Sequence, residues 1–496
     1  MFIGATLILA LLITCGGGSG STGGDPNANP IISSSPPTID VSDYGNLSTA
    51  IEAIGAAQTT LVISTPQILT ENTTIPPNIG LVIQNGGTIT KNSLYTLALN
   101  GPFEAGLYQV FVGFSPGDVS FGPGSAKEVF PEWWGIDGTT DDVAINAAIT
   151  ALSSSRIPLR LSARTYTLAS GINITKGGVK IIGAGRNATI LYAGYTGSTP
   201  AIQLKSVDGS RLDYNHLEGF FLRARPDNLT DIAIESDYTV GLILRDVFIS
   251  AFGKTALNLL TTWEATADNF RVIQCGRNGD STTGVINFGS SAARVGQCTQ
   301  SNFSNIIMGS NYGTHFRIKN SKYGNSALHF SNVTIENNQL NNAPTDNNPL
   351  IDFDNAYNIS FNNFAITINT KNTSSADSFF VKNGGHFCGG LFFSNGTVAI
   401  NGTTYAPLAG VINFSTNHGD MDFSNVLFQD LNDKVPSKGF AVVTTGGTSR
   451  LKFNECVFNT ALSFANLFQQ TYCVEGTIAI ERLGSYTRYV LTGTSP

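Results

Sequence analysis

From Arg156 onward, apolar and polar residues alternate in short runs, and the runs recur. FSNIIMGS starts at Phe303, FSNVTIEN at Phe330, FNNFAITI at Phe361, FSNGTVAI at Phe393, FSNVLFQD at Phe423 and FNECVFNT at Phe453. The starts lie 27, 31, 32, 30 and 30 residues apart. An alternating segment precedes each phrase: AIQLKS, DIAIES, ALNLLT, VINFGS, HFRIKN, LIDFDN, FFVKN and VINFST. Alternation puts every second side chain on one face. The second inward residues read as Leu204, Ile234, Leu259, Phe288, Ile318, Phe353, Val381 and Phe414. A unit of this length with two or three short strands cannot bury its apolar face alone, whereas stacked units share a continuous core. The pattern predicts an all-β solenoid, a parallel β-helix of about nine turns at roughly 4.8 Å each, hence a rod of about 40 Å.

In such a stack Asn332 lies between Asn305 and Asn363, with Asn395 and Asn425 further along. Each amide can donate to the next, and the phenylalanines stack beside them. Asn320, Asn355 and Asn383 read as a second column. The repeated phrase is therefore a building block and not a repeated active site.

Upstream, residues 39–132 carry short apolar strands punctuated by Gly, Pro and Asn, with a short helix over Leu47–Ala57. After PEWWGIDG, the residues Ile145, Ala148, Ile149 and Leu152 form a helical stripe. Thr139 is placed to cap that helix, with Asp142 three residues on. Asp141 and Asp142 at a helix start read as capping carboxylates, not as a catalytic pair. The helix covers the open N-terminal edge of the stack.

Residues 1–15 read as an export signal, with an apolar run from Phe2 to Thr14 followed by Cys15. Residues 16–38 are a Gly/Ser/Pro tether. The run, the Cys and the tether resemble a bacterial lipoprotein signal. That resemblance implies lipidation of Cys15 and an outer-membrane or extracellular location, with the anchor as the one membrane contact. Net charge is −7 with no basic block, which excludes a nucleic-acid backbone as partner. The remaining cysteines show no Cys-x-x-Cys spacing and read as small buried residues. A Cys275–Cys298 disulfide is open to the chain if those positions stack.

WGIDGTTDDVAINAAITAL, the Gly-rich GVKIIGAGRNATIL and the stacked phrases together resemble the pectate-lyase-like superfamily of right-handed parallel β-helix proteins. That group includes polygalacturonase-related enzymes and tailspikes. The resemblance covers about residues 133–475 and implies one β-helix domain over 133–496, behind a leader module over 39–132. It implies polysaccharide as partner and, as in tailspikes, room for a homotrimer. Polygalacturonases carry an Asn-Thr-Asp, an Asp-Asp, then a Gly-His-Gly and an Arg-Ile-Lys. Here Arg317–Lys319 reads Arg-Ile-Lys, but the histidine phrase around His386 follows it and no Asn-Thr-Asp occurs. That mechanism is not carried over.

The residues themselves give a different patch. In HFRIKN and LIDFDN the apolar residues point inward, so Arg317, Lys319, Asp352 and Asp354 point out. Alignment sets Arg317 beside Asp352 and Lys319 beside Asp354, with Phe380 and Lys382 continuing the columns. Asp346, Asp377 and His386 fall on neighbouring loops. As a polysaccharide groove, Phe380 would stack on a sugar ring while Lys382 and His386 bind beside it. Two carboxylates among Asp352, Asp354, Asp346 and Asp377 would serve hydrolysis as acid and base or nucleophile. In a lyase, Arg317 or Lys319 would take the proton beside a uronate carboxyl, with Asp352 and Asp354 holding calcium. The competing reading is a surface ladder of opposite charges on a non-catalytic, glycan-binding or adhesin-like rod.

Overall fold

The computed structural model describes residues 36–92, 94–152, 156–227, 230–278, 282–291, 296–319, 323–336, 349–370, 380–384, 388–402, 412–415, 418–430, 441–443, 448–460, 475–483 and 486–494. Strands stack in parallel from Leu159–Arg160 to Thr448–Thr460, each pairing with its counterpart one repeat away. This is the right-handed parallel β-helix that the resemblance implies. The stack ends on a hairpin, Glu475–Leu483 with Tyr486–Thr494, which pairs antiparallel with Thr448–Thr460. That reversal closes a sheet edge that would otherwise expose unpaired backbone groups.

The Phe column runs as read. Phe330 stacks on Phe303 and on Phe361 with centroids 5.1 and 4.5 Å apart. Phe393, Phe423 and Phe453 continue it at 5.2, 4.9 and 5.3 Å. The Asn column runs on the outside of the adjoining turn. Asn332 Nδ2 donates to Asn305 Oδ1 at 3.0 Å, and Asn363 Nδ2 to Asn332 Oδ1 at 2.6 Å. Asn425 Nδ2 donates to Asn395 Oδ1 at 2.9 Å, but Asn395 itself donates to Asn362, not to Asn363. All five ladder residues have φ between 53° and 56°. Asn tolerates this left-handed region better than most residues, so one residue type meets both demands of the turn.

Two expected columns shift. Leu204 pairs with Ser236, and Phe353 with Asn383. Ile234 and Val381 therefore sit one inward step earlier, opposite Ile202 and Ile351. Asn383 consequently leaves the Asn355 column, and Asn320 lies outside the described residues.

The leader is itself a coil. Thr59–Ile63, Ile79–Ile83 and Phe103–Ala105 stack as one face, with Thr38–Asp40 beside the first. Gln67–Leu69, Ile89–Lys91 and Phe111–Val112 form a second face, and Thr73–Ile75, Leu97–Leu99 and Val119–Phe121 a third. Its buried residues join those of the long stack in one core. Helix α1 (Leu47–Ile54) sits against Gln67–Leu69. Helix α2 (Asp141–Ala151) covers the first strands of the long stack, Thr165–Leu168 and Ile172–Ile174, and meets Val119–Phe121 of the leader on its other side.

The cap of α2 differs from expectation. Thr140, not Thr139, is the capping residue, and its side chain makes no capping bond. Asp137 instead accepts from the Thr139 and Thr140 amides at 2.7 and 2.8 Å. Those bonds hold its carboxyl below the usual carboxylate range. Asp141 and Asp142 are buried and pin the helix to the first turn. Asp141 accepts from the Gly138 and Thr167 amides at 2.8 Å each, and Asp142 from the Ala169 and Ser170 amides at 2.8 and 2.9 Å. Cys275 and Cys298 are free buried thiols, so the disulfide does not form.

Candidate functional site

Strands Phe316–Ile318 and Ile351–Phe353 stack in register, Arg317 opposite Asp352. Alternation sends Phe316, Ile318, Ile351 and Phe353 into the core, and Arg317 and Asp352 to the other side, as read from the sequence. The site is nevertheless closed. Arg317 is 7% exposed and Asp352 4%. The chain before the preceding strand lies on the guanidine stem: a Cβ added to Gly284 would stand 2.6 Å from Arg317 Cβ. Lys319 Nζ reaches Asp352 Oδ2 at 2.7 Å. Asp354 is half-buried, and its backbone N–H donates to Ile318 O at 3.0 Å. Both Asp354 and Lys319 lie within electrostatic reach of Cys388. Burial pushes that thiol up to about 12; Asp354 adds to the rise and Lys319 opposes it.

Phe380 is a correction. It is fully buried, T-shaped against Phe393 at 5.6 Å, and cannot meet a sugar ring. It is the corner residue just before its strand, and the corner turns it inward. Lys382 pairs in register with Asp352, two residues away from the expected column. Asp346, Asp377, His386 and Cys15 lie outside the described residues.

The register shows what the sequence reading passed over. Asn173, Gln203, Glu235, Asn258, Asn287, Arg317, Asp352 and Lys382 are successive partners along one face. From Gln203 to Asn287 the column is hydrogen-bonded from rung to rung. Gln203 Nε2 and Asn258 Nδ2 donate to the two Glu235 carboxylate oxygens at 3.1 and 2.9 Å, and Asn287 Nδ2 to Asn258 Oδ1 at 2.7 Å. The signal was present as the single polar residue inside each first segment. Attention to charge alone found only its end.

An exposed aromatic does occur, on a different face. Phe392 is 43% exposed and lines a hollow of about 430 Å³ with Ser394, Asp422, Ser424, Lys452 and Asn454. Lys452 Nζ lies 3.7 Å from Asp422 Oδ2 across that hollow.

Chemically, Asp352 serves Lys319 as a charge partner, at 2.7 Å and all but shut off from water. Among the described residues no group of three or more His, Cys, Asp or Glu is placed to hold a metal ion. Calcium takes six to eight oxygens. Asp352 is already engaged by Lys319, so the described residues at this site do not fit calcium and no step is routed through it.

No family model matches the chain, and no curated protein matches it. Solved structures resemble it in fold. Open reading frame 18 of Geobacillus virus E2 has a TM-score of 0.48 at 15% identity over 67% of this chain and 62% of that one. The tailspike of an Acinetobacter phage gives 0.43 at 11%, over 66% and 62%. DFA-IIIase of Arthrobacter chlorophenolicus in complex with DFA-III gives 0.45 at 10%, over 67% and 84%. The chain thus spans less than two thirds of the first two.

Proposed function

We propose that this chain is an exported β-helix that engages a polysaccharide along the polar column of its first-strand face. The observation behind this reading is the line of partners from Asn173 through Gln203, Glu235 and Asn258 to Asn287, which stays partly open to solvent ahead of the closed Arg317–Asp352 rungs. Amide and carboxylate groups at a rung spacing of about 4.8 Å offer hydrogen bonds at regular intervals to a linear polyhydroxylated chain. Cleavage, by lyase or hydrolase chemistry, is a second reading. It rests on the gathering of Arg317, Lys319, Asp352 and Asp354 at one end of the column. Export and a lipid on Cys15 belong to the same proposal and rest on the Phe2–Thr14 run ahead of Cys15.

The test uses the full chain with acidic and neutral polysaccharides, with and without calcium. Retention on an immobilised glycan, weakened by Glu235→Gln and Asn258→Ala, supports the binding reading; no retention on any of them overturns it. New reducing ends with an ultraviolet-absorbing product mean a lyase, and reducing ends alone mean a hydrolase. Incorporation of a labelled fatty acid, absent in Cys15→Ala, tests the anchor.

A further inference from the structure

Near the start of the polar column three aromatic side chains gather on the surface. Tyr238 directly follows the buried Asp237, and its ring meets Trp263 edge to face at 5.6 Å between centroids. The two belong to neighbouring turns, since Trp263 is the register partner of Val240. Tyr214 enters from the turn on the other side: its backbone N–H donates to Val240 O at 2.7 Å. Its ring lies over Gly241, where an added Cβ would stand 2.5 Å from the ring edge. Tyr214 is 66% exposed. Tyr238 and Trp263 are half-buried.

Two features separate this cluster from ordinary surface aromatics. Both tyrosines occupy the left-handed region, with φ of 56° and 63°. A bulky side chain pays for that conformation with on the order of 1 kcal/mol or more, and such residues persist where the surroundings over-determine them. The large rings are thus kept at positions where Gly or Asn would be cheaper. The second feature is the border. Arg211 grips Asp213 through Nε and Nη2 at 2.6 and 3.0 Å, and Lys205 lies 3.3 Å from Asp237. Glu235 is held by amides, and Glu264 is exposed beside Trp263. Arg211 and Lys205 are each engaged by a carboxylate, and exposed Lys176 precedes Gly177, which packs on Asp213; the carboxylates Asp213, Glu235, Asp237 and Glu264 outnumber these three cations.

We propose that Tyr214, Tyr238 and Trp263 form a sugar-binding platform, and that it takes an uncharged sugar residue and not a uronate. This rests on the polysaccharide reading above and adds the class of sugar. The C–H face of a pyranose packs on the negative face of an aromatic ring, and the hydroxyls at its edge reach the fixed Asp213–Arg211 pair and the Glu235 column. A uronate carboxylate would instead meet an excess of negative charge, with Arg211 and Lys205 already engaged by carboxylates.

The chain supplies its own reporter. It contains three tryptophans, and Trp133 and Trp134 are buried. Trp263 is the indole open to a ligand. Tryptophan fluorescence is titrated with cellohexaose, xylohexaose, mannohexaose and hexagalacturonate, in the wild type and in Tyr214→Gly, Trp263→Phe and Phe392→Ala, with affinity electrophoresis as a second readout. The expected result is a fluorescence change with a neutral hexasaccharide that disappears in Trp263→Phe. Affinity should fall about tenfold in Tyr214→Gly, the loss of one stacked ring, and stay unchanged in Phe392→Ala. Tyr214→Gly should hold its thermal midpoint, because glycine relieves the φ of that position; a tyrosine kept for packing would lower it. Glycan binding with no fluorescence change and no loss in Tyr214→Gly overturns the platform and leaves the column. Tighter binding of hexagalacturonate than of any neutral sugar overturns the neutral class. Binding of none of the four overturns both the platform and the polysaccharide reading.

Discussion

Lys319 reaches across to the neighbouring turn and sets its ammonium 2.7 Å from Asp352 Oδ2, with both side chains largely shut off from water. An ion pair in that setting gains little over a well-packed apolar pair, but breaking it leaves a buried charge uncompensated. Lys319→Met should therefore lose about 3 kcal/mol, and adding Asp352→Leu should recover only part of it, because Arg317, buried opposite Asp352, then loses its carboxylate neighbour. Urea unfolding of the two single variants and the double variant measures the coupling. Simple additivity would mean that the contact carries no stability. If instead the single variants keep stability but lose glycan turnover, the catalytic reading of this cluster gains.

Phe361 is stacked on both sides in the core, at 4.5 Å from Phe330 and 5.2 Å from Phe393. Phe361→Ala removes a ring that the flanking rungs cannot replace without moving, so a loss of about 3–5 kcal/mol is expected. The rungs make contact mainly with their neighbours, so the damage should stay local. Hydrogen exchange should quicken in Asn325–Glu336 and Cys388–Gly402 before it does in Ile243–Ser250. Uniform acceleration along the chain would show a fully cooperative rod.

These two cases mark what the sequence could and could not say. The Phe and Asn columns were legible because their period is fixed by the stack and each residue type answers a local demand. Phe380 was misread because alternation holds within a strand and fails at the corner before it. The closure over Arg317 was illegible because Gly284, which lies on it, belongs to a different turn and has no side chain to signal contact. In the leader, the strands were visible, but nothing in their spacing showed that they wind into a three-faced coil. The aromatic platform was missed for a similar reason, since Tyr214, Tyr238 and Trp263 come from three separate turns.

Asn332 has φ of 55°, donates to Asn305 and accepts from Asn363. Asn332→Ala loses these bonds and keeps a β-carbon in the left-handed region, for a cost of about 2 kcal/mol. Asn332→Gly loses the same bonds but relieves the backbone, so it should be the milder change by about 1 kcal/mol. Denaturant midpoints of the two variants decide the matter. The reverse order would mean that the turn is not held in this conformation in solution.

His315 gives the pH prediction. It is fully buried, Nδ1 lies 3.0 Å from Gly313 O, and Nε2 has no hydrogen-bond partner. Burial pulls its pKa down from 6.5 to about 4, against a smaller opposing effect of the Gly313 carbonyl. Above pH 6.5 the ring is neutral in both folded and unfolded chains and contributes no pH dependence. Between 6.5 and 4 the unfolded chain takes up a proton that the folded chain refuses, so stability falls as pH falls. The loss reaches about 3 kcal/mol near pH 4 and then levels off as the folded ring protonates. His315→Leu should remove that component, because Leu350 fills the equivalent corner in the next turn, where its carbonyl accepts from the His315 N–H at 2.9 Å. The quantity to measure is the difference in unfolding free energy between wild type and variant at pH 7.5, 6 and 5, above the range where carboxylates dominate. The difference should grow in favour of the variant as the pH drops. A difference that stays constant over this range would mean that the folded ring titrates as the unfolded one does, in contact with water, and a difference that moves in favour of the wild type would mean an anionic partner.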